Sequence, residues 1–215
     1  MSERPIRLGL VGKPEKTAFW ANLATRIQAC EVSTAADSIE VALADDPDLD
    51  AVVLDSPADA ILAANAGRHV LVSAPVGESL DEAGSVVDAC SRAGVKLSLC
   101  QPLRYLPANQ IVRDRLTSGK LGEPGLLRVH RWSADPDSSL AKVLYGDIDL
   151  SIHFFGTNPS CLYAIHRGEG RYIQVHLGFP GGGMAVLDFS SGLPGGRGYD
   201  SLSLIGSRGA AYADD

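Results

Sequence analysis

The sequence predicts an α/β chain in two parts: a parallel-sheet domain over residues 1–120, then an α+β domain with an open, mainly antiparallel sheet over residues 121–215. Two observations carry this. In the first part, short apolar runs alternate with helical stretches of roughly 10–15 residues, the signature of βα units that feed a parallel sheet. After Gly122 the texture changes to successive strand-like runs joined by Gly, Pro and Ser turns, with one helical stretch near 138–155.

Taken in order, IRLGLVG (6–12) is an apolar run closed by Gly12 and reads as a buried first strand. Residues 15–28 have helical spacing, with Phe19, Leu23 and Ile27 four apart on one face. ACEVST (29–34) suits a strand. Asp37 stands three residues before Glu40, an N-cap pattern that opens the helix SIEVALA. AVVLD (51–55) is a further strand, 58–66 a helix, and RHVLVS (68–73) a strand stopped by Pro75. Residues 79–93 open with a Ser79/Glu82 capping box, run as an amphipathic helix and end at Gly94 before the strand VKLSLC (95–100). In the second part GLLRVHRW, SCLYAIH, RYIQVHLGF, GMAVLDF and SLSLIG are the strands.

Composition narrows the function. At 45% hydrophobic, the 215-residue chain has enough apolar material for a core in each part and too much for disorder. There are 26 acidic residues against 19 basic ones, for a formal charge of −7, and no Lys/Arg run, which argues against nucleic acid as a partner. Cys30, Cys90, Cys100 and Cys161 form no CxxC pair, and each lies in an apolar stretch, as a small buried residue would. No HxH or HExxH spacing links the five histidines, so no metal is expected. The N-terminus lacks a long apolar stretch and no run approaches the ~20 apolar residues of a membrane span, so the expectation is a soluble, cytoplasmic protein with no membrane partner.

Several pieces of wording occur together in a particular order: DLDAVVLDSP, HVL-x-x-x-P at His69–Pro75, the AGVKL strand, R-[YF]-x-P at Arg104–Pro107, SG-x-LGE at Ser118–Glu123, and Gly146–His153. In this the chain resembles the Gfo/Idh/MocA family of oxidoreductases. The resemblance implies a Rossmann-like domain for NAD or NADP, then a sheet domain, with a sugar, cyclitol or related small polar substrate between them. It also implies that IGSRGAAYADD belongs to the large sheet and that usual family members continue well beyond it, making 121–215 a truncated version of the family's second domain.

Residue by residue, the carry-over is uneven. A dinucleotide loop needs glycines so that backbone amides at a helix N-terminus can approach the pyrophosphate. Gly12 keeps the first position, but the second is Pro14 and the third Thr17. A plain strand-to-helix turn, with proline in the first helical turn, is the competing reading. The nearest acid for the adenosine ribose, Asp37, reads better as an N-cap. In the loop after AVVLD, Ser56 and Pro57 match the family's cofactor-lining pattern, while Ala58 and Ile61 replace its amide and imidazole. The family's Glu-Lys-Pro motif is Ser73, Ala74 and Pro75, so the position of the usual proton-transfer lysine holds Ala74. Asp149 and His153 keep the D-x-x-x-H pair, and a spacing of four puts both on one helix face. An Asp beside a His can fix its tautomer and raise its basicity, and the pair reads equally as an ordinary contact within the helix. Arg104 and Tyr105 match a position near the substrate; Arg104 can fork a carboxylate or pair with a local acid such as Asp114.

The sequence therefore predicts Asp149 and His153 as catalytic, Gly12, Ser56, Pro57 and Pro75 as cofactor-binding, and Arg104 and Tyr105 as substrate-binding. The favoured expectation is a degenerate relative that needs no NAD or NADP and acts as a ligand-binding or interaction protein. The alternative is an active NAD(P)-dependent oxidoreductase. A homodimer is expected through the second-domain sheet, with Leu127, Val129 and Arg131 on one face and Ile173, Val175 and Leu177 on another, the uncovered face pairing about a two-fold axis.

Overall fold

The computed structural model describes residues 4–136, 140–169, 171–193 and 196–214. The chain divides into two compact units, Met1–Cys100 and Gln101–Asp215. The division falls ahead of residue 120, where the sequence texture changes, because the helical segment in between belongs to the second unit. There a 3-10 turn, Pro102–Tyr105, packs on α6 (Leu140–Phe155), and α5 (Pro107–Thr117) packs on β11 (Ala210–Asp214).

Unit 1 is a five-stranded parallel sheet of β1 (Ile6–Val11), β2 (Cys30–Ala36), β3 (Ala51–Leu54), β4 (His69–Ser73) and β5 (Leu97–Cys100), in the order β2-β1-β3-β4-β5. Helices α1 (Pro14–Ala24), α2 (Ile39–Asp45), α3 (Pro57–Asn65) and α4 (Leu80–Ala93) make the crossovers. As in other parallel sheets, the strands are buried without alternation: Val52, Val53 and Leu54 are consecutive core residues. Ile39 of α2, Ala60 and Ala64 of α3 and Val86 of α4 close over them.

The helix ends follow from single residues. The Ser79 hydroxyl accepts the Glu82 N–H at 3.2 Å, and the Glu82 carboxylate reaches back to the Glu78 N–H at 2.7 Å. Gly94 closes α4 at φ +67°, which a side chain would disfavour. Two expectations are corrected. The cap of α2 is Ser38, whose hydroxyl accepts the Val41 N–H, and not Asp37, because the helix starts one residue later than the Asp37/Glu40 spacing implies. The face expected from Phe19, Leu23 and Ile27 is not an inner face: α1 ends at Ala24, so Ile27 lies in the loop beyond, and Phe19 is exposed and packs edge-on against Trp20. Of the cysteines only Cys90 is buried; Cys161 lies exposed on β7.

Unit 2 is a six-stranded sheet of β6 (Pro124–Trp132), β7 (Cys161–Arg167), β8 (Tyr172–Gly178), β9 (Met184–Ser190), β10 (Tyr199–Gly206) and β11, in the order β11-β10-β6-β9-β8-β7. Only the central β6–β9 pairing is parallel. Register corrects the expected faces. Val129 pairs with Leu187, and Leu187 with Val175; Leu127 pairs with Ala185, and Ala185 with Leu177. The two expected sets therefore share one face, buried against Leu150 and Phe154 of α6. The opposite face is a mixture of polar and aromatic groups. Ser201, His130, Asp188 and Gln174 form one row across it, and Tyr199, Trp132, Ser190 and Tyr172 the next. Among the described residues, no helix is long and apolar enough to cross a membrane, and no group of three or more His, Cys, Asp or Glu could hold a metal ion.

Candidate functional site

In unit 1 the chain leaves β1 toward β2 on one side and returns to β3 on the other, so the crevice at the carboxyl ends of β1 and β3 is the place where open α/β sheets bind ligands. Gly12 stands there at φ +147°, its N–H donating to the Ala36 carbonyl at 2.9 Å, with open space where a Cβ would be. The next turn is less accommodating. Pro14 is the first residue of α1 and brings no N–H, and Glu15 puts a carboxylate in the first turn. Lys16 forms an ion pair with Asp55, joining α1 to the end of β3 across the crevice. The Thr17 hydroxyl bonds back to the Pro14 carbonyl at 3.2 Å.

The other residues singled out in unit 1 have structural tasks. The Ser56 hydroxyl accepts the Asp59 N–H at 3.3 Å and caps α3, and Pro57 is the first residue of that helix. Pro75 follows a cis peptide bond just beyond β4. Asp37, relieved of capping by Ser38, is exposed one residue past the Ala36–Gly12 hydrogen bond, where a Rossmann fold puts its ribose acid. The residues present fit a ribose and do not fit a pyrophosphate.

In unit 2, α6 carries Asp149 and His153, but the expected partnership is replaced by another. The carboxylate of Asp149 is forked by Arg104, whose Nε and Nη2 donate at 2.7 and 2.5 Å. Arg104 sits on the 3-10 turn, and its partner is Asp149, not Asp114. Arg113 of α5 donates through Nη1 to the carbonyl of His153 at 2.7 Å. The imidazole of His153 is held below its ordinary pKa of 6.5 by burial first, then by Arg113 and Arg104, with Asp149 opposing them. The expected rise in basicity is thus reversed, because the neighbouring carboxylate is matched by one guanidinium and outnumbered by two. Tyr105 is largely exposed. Gln101 donates to the Tyr145 hydroxyl at 3.2 Å, and Asn109 donates to the Leu103 carbonyl at 2.8 Å, fixing the turn that bears Arg104.

Arg113 and the Lys16–Asp55 pair escaped the sequence reading. Nothing in the local pattern marks Arg113, and its relation to His153 spans 40 positions. The remaining histidines divide simply: Nδ1 of His69 accepts the Lys96 N–H at 3.1 Å, a structural bond, while His130 meets Asp188 at 3.1 Å on the sheet face opposite α6.

No protein-family model matches the chain. An uncharacterised oxidoreductase of Bacillus subtilis, YrbE, is 29% identical over 222 residues, covering 88% of this chain. The rhizopine catabolism protein MocA of Rhizobium meliloti is 24% identical over the same share of the chain. The chain belongs to the Gfo/Idh/MocA family. It spans 64% of the length of YrbE and 69% of MocA. The fold of this family member matches the WlbA dehydrogenase of Bordetella pertussis, solved with NADH and UDP-GlcNAcA, at TM-score 0.83 and 20% identity over 99% of this chain and 80% of that one.

Proposed function

We propose that this Gfo/Idh/MocA member is a ligand-binding protein that does not use a nicotinamide dinucleotide for hydride transfer. The observation that carries the reading is the first turn of α1. A pyrophosphate would meet a missing N–H at Pro14, a carboxylate at Glu15, and a lysine already paired with Asp55. Ala74, at the family's lysine position, supplies neither a proton nor a positive charge. The ligand-binding groups are those of unit 2: Arg104, Asp149 and His153, with Tyr105 exposed beside them. The test is titration of the protein with NAD⁺, NADH and their 2′-phosphorylated forms, followed by calorimetry. No saturation is expected below about 1 mM, a binding free energy of about 4 kcal/mol. Submillimolar binding of any of the four overturns the reading.

A second reading, an active NAD(P)-dependent oxidoreductase on a small polar hydroxy or carbonyl substrate, is favoured by Asp37. An exposed acid at the end of β2 suits the 2′-hydroxyl of an adenosine ribose, so binding in that case would prefer NAD over NADP. Self-association through the unit 2 sheet and a cytoplasmic location belong to the proposal as well. Tyr163, Tyr172, Tyr199 and Tyr212 are exposed and share the face opposite α6 by register, and burying them in a two-fold homodimer would remove apolar surface from water. Sedimentation at micromolar concentration decides: a monomer mass overturns the dimer.

A further inference from the structure

The protein carries a net charge of −7, yet the groups around His153 are mostly cationic. Arg104 reaches it from the 3-10 turn and Arg113 from α5, while Asp149, on its own helix, is the one carboxylate among the groups that act on it. Tyr105 and Tyr145 lie near Arg104. Two guanidiniums against one carboxylate leave one positive charge with the imidazole neutral. Asp149 takes two N–H groups of Arg104, and the carbonyl of His153 takes one of Arg113. A guanidinium has more donors than these contacts use. The cluster thus combines a surplus charge with unused planar donors, the combination that recognises an oxyanion.

We propose that Arg104, Arg113 and His153 form a binding site for the carboxylate of a small polar molecule. The inference rests on the reading of this part of unit 2 as a ligand site, and it names the class of ligand. A carboxylate is preferred to a phosphate because its single charge balances the surplus, whereas a phosphate monoester brings about −1.5 to −2. An anion seated there removes the cost of charging His153 beside two arginines, so binding draws a proton onto the imidazole. The depressed pKa of His153 in the ligand-free protein agrees with this coupling.

The experiment follows the imidazole resonances of the full chain by NMR across pH, with His153 assigned through His153→Gln and His69 of unit 1 as an internal reference. The probes are D-glucuronate, sodium acetate as the bare carboxylate, and D-glucose as the neutral ring, all at matched ionic strength. Glucuronate and acetate are expected to shift the His153 resonance saturably and raise its midpoint by about half a pH unit or more, leaving His69 in place, while glucose does neither. Arg113→Gln is expected to weaken glucuronate about tenfold, and Arg113→Lys to recover part of the loss. If glucose perturbs His153 as strongly as the acids, the carboxylate class is overturned and the ligand site stands. If no probe perturbs it, both fall. Equal binding by Arg113→Gln and the parent protein overturns the part assigned to Arg113.

Discussion

The ion pairs of the two units differ in where they lie. In unit 1, Lys16 and Asp55 meet at the rim of the crevice with 58% and 32% of their side chains exposed. In unit 2, Arg104 and Asp149 are 34% and 14% exposed, and Arg131 and Asp147 only 17% and 2%. A pair in water is worth little, and its partners exchange readily for solvent or ligand. A buried pair adds little net stability either, but it holds its geometry tightly, because removing one partner strands a charge. The difference teaches that unit 1 has a loosely closed crevice, while unit 2 has a stiff set of charges around α6.

The largest expected effect breaks the stiff side. Arg131→Ala leaves the Asp147 carboxylate buried without its guanidinium and should cost about 3–5 kcal/mol in urea unfolding. A double change, Arg131→Met with Asp147→Leu, should recover most of that. Recovery failing altogether would show that the pair does more than neutralise itself. Arg104→Ala removes a half-exposed fork and should cost about 1–2 kcal/mol, less than Arg131→Ala; a larger loss than at Arg131 would invert the ranking of the two pairs.

On the loose side, Pro14→Gly with Thr17→Gly should improve NAD⁺ binding by about tenfold, since the amide returns and Asp37 already stands at the end of β2. No gain by calorimetry would mean that Asp37 does not serve a ribose. A smaller effect concerns pH. The pKa of His153 is lower folded than unfolded, so the unfolded chain binds more protons in that interval. Its contribution is therefore present above the unfolded value of 6.5 and is lost as pH falls through that value toward the folded one. The urea midpoint should drop on acidification across that window, and His153→Gln should flatten that part of the profile. The smallest effect is Lys16→Met, which should change stability by less than about 1 kcal/mol. A larger loss would place the crevice pair among the structural ones.

Much of this architecture was legible because single residues announce it. Ser79, Glu82 and Gly94 delimit α4 by local hydrogen-bond chemistry, and the unbroken Val52–Leu54 run could only be a strand covered on both sides. Asp37 was misread because Asp and Ser both cap helices, and the choice between adjacent candidates depends on where α2 begins. The two faces of the unit 2 sheet were assigned wrongly because alternation within a strand says nothing about register between strands. The candidate site was legible as residues but not as a circuit. Asp149 and His153 share a helix face by spacing, yet the partner that decides their chemistry, Arg104, is 45 positions away.

The strand order of unit 2 has a consequence for synthesis. β6 is the first strand of that sheet to be made, and it ends between β9 and β10, with Val129 paired to Leu187 and Leu202. Until those late strands have left the ribosome, the apolar side of β6 has no neighbours in the sheet. Unit 1 meets no such delay, since each of its crossovers joins strands that are adjacent or separated by one. The nascent chain therefore carries a folded first half and a waiting second half, and it is during that interval, rather than after completion, that unit 2 depends on protection from aggregation.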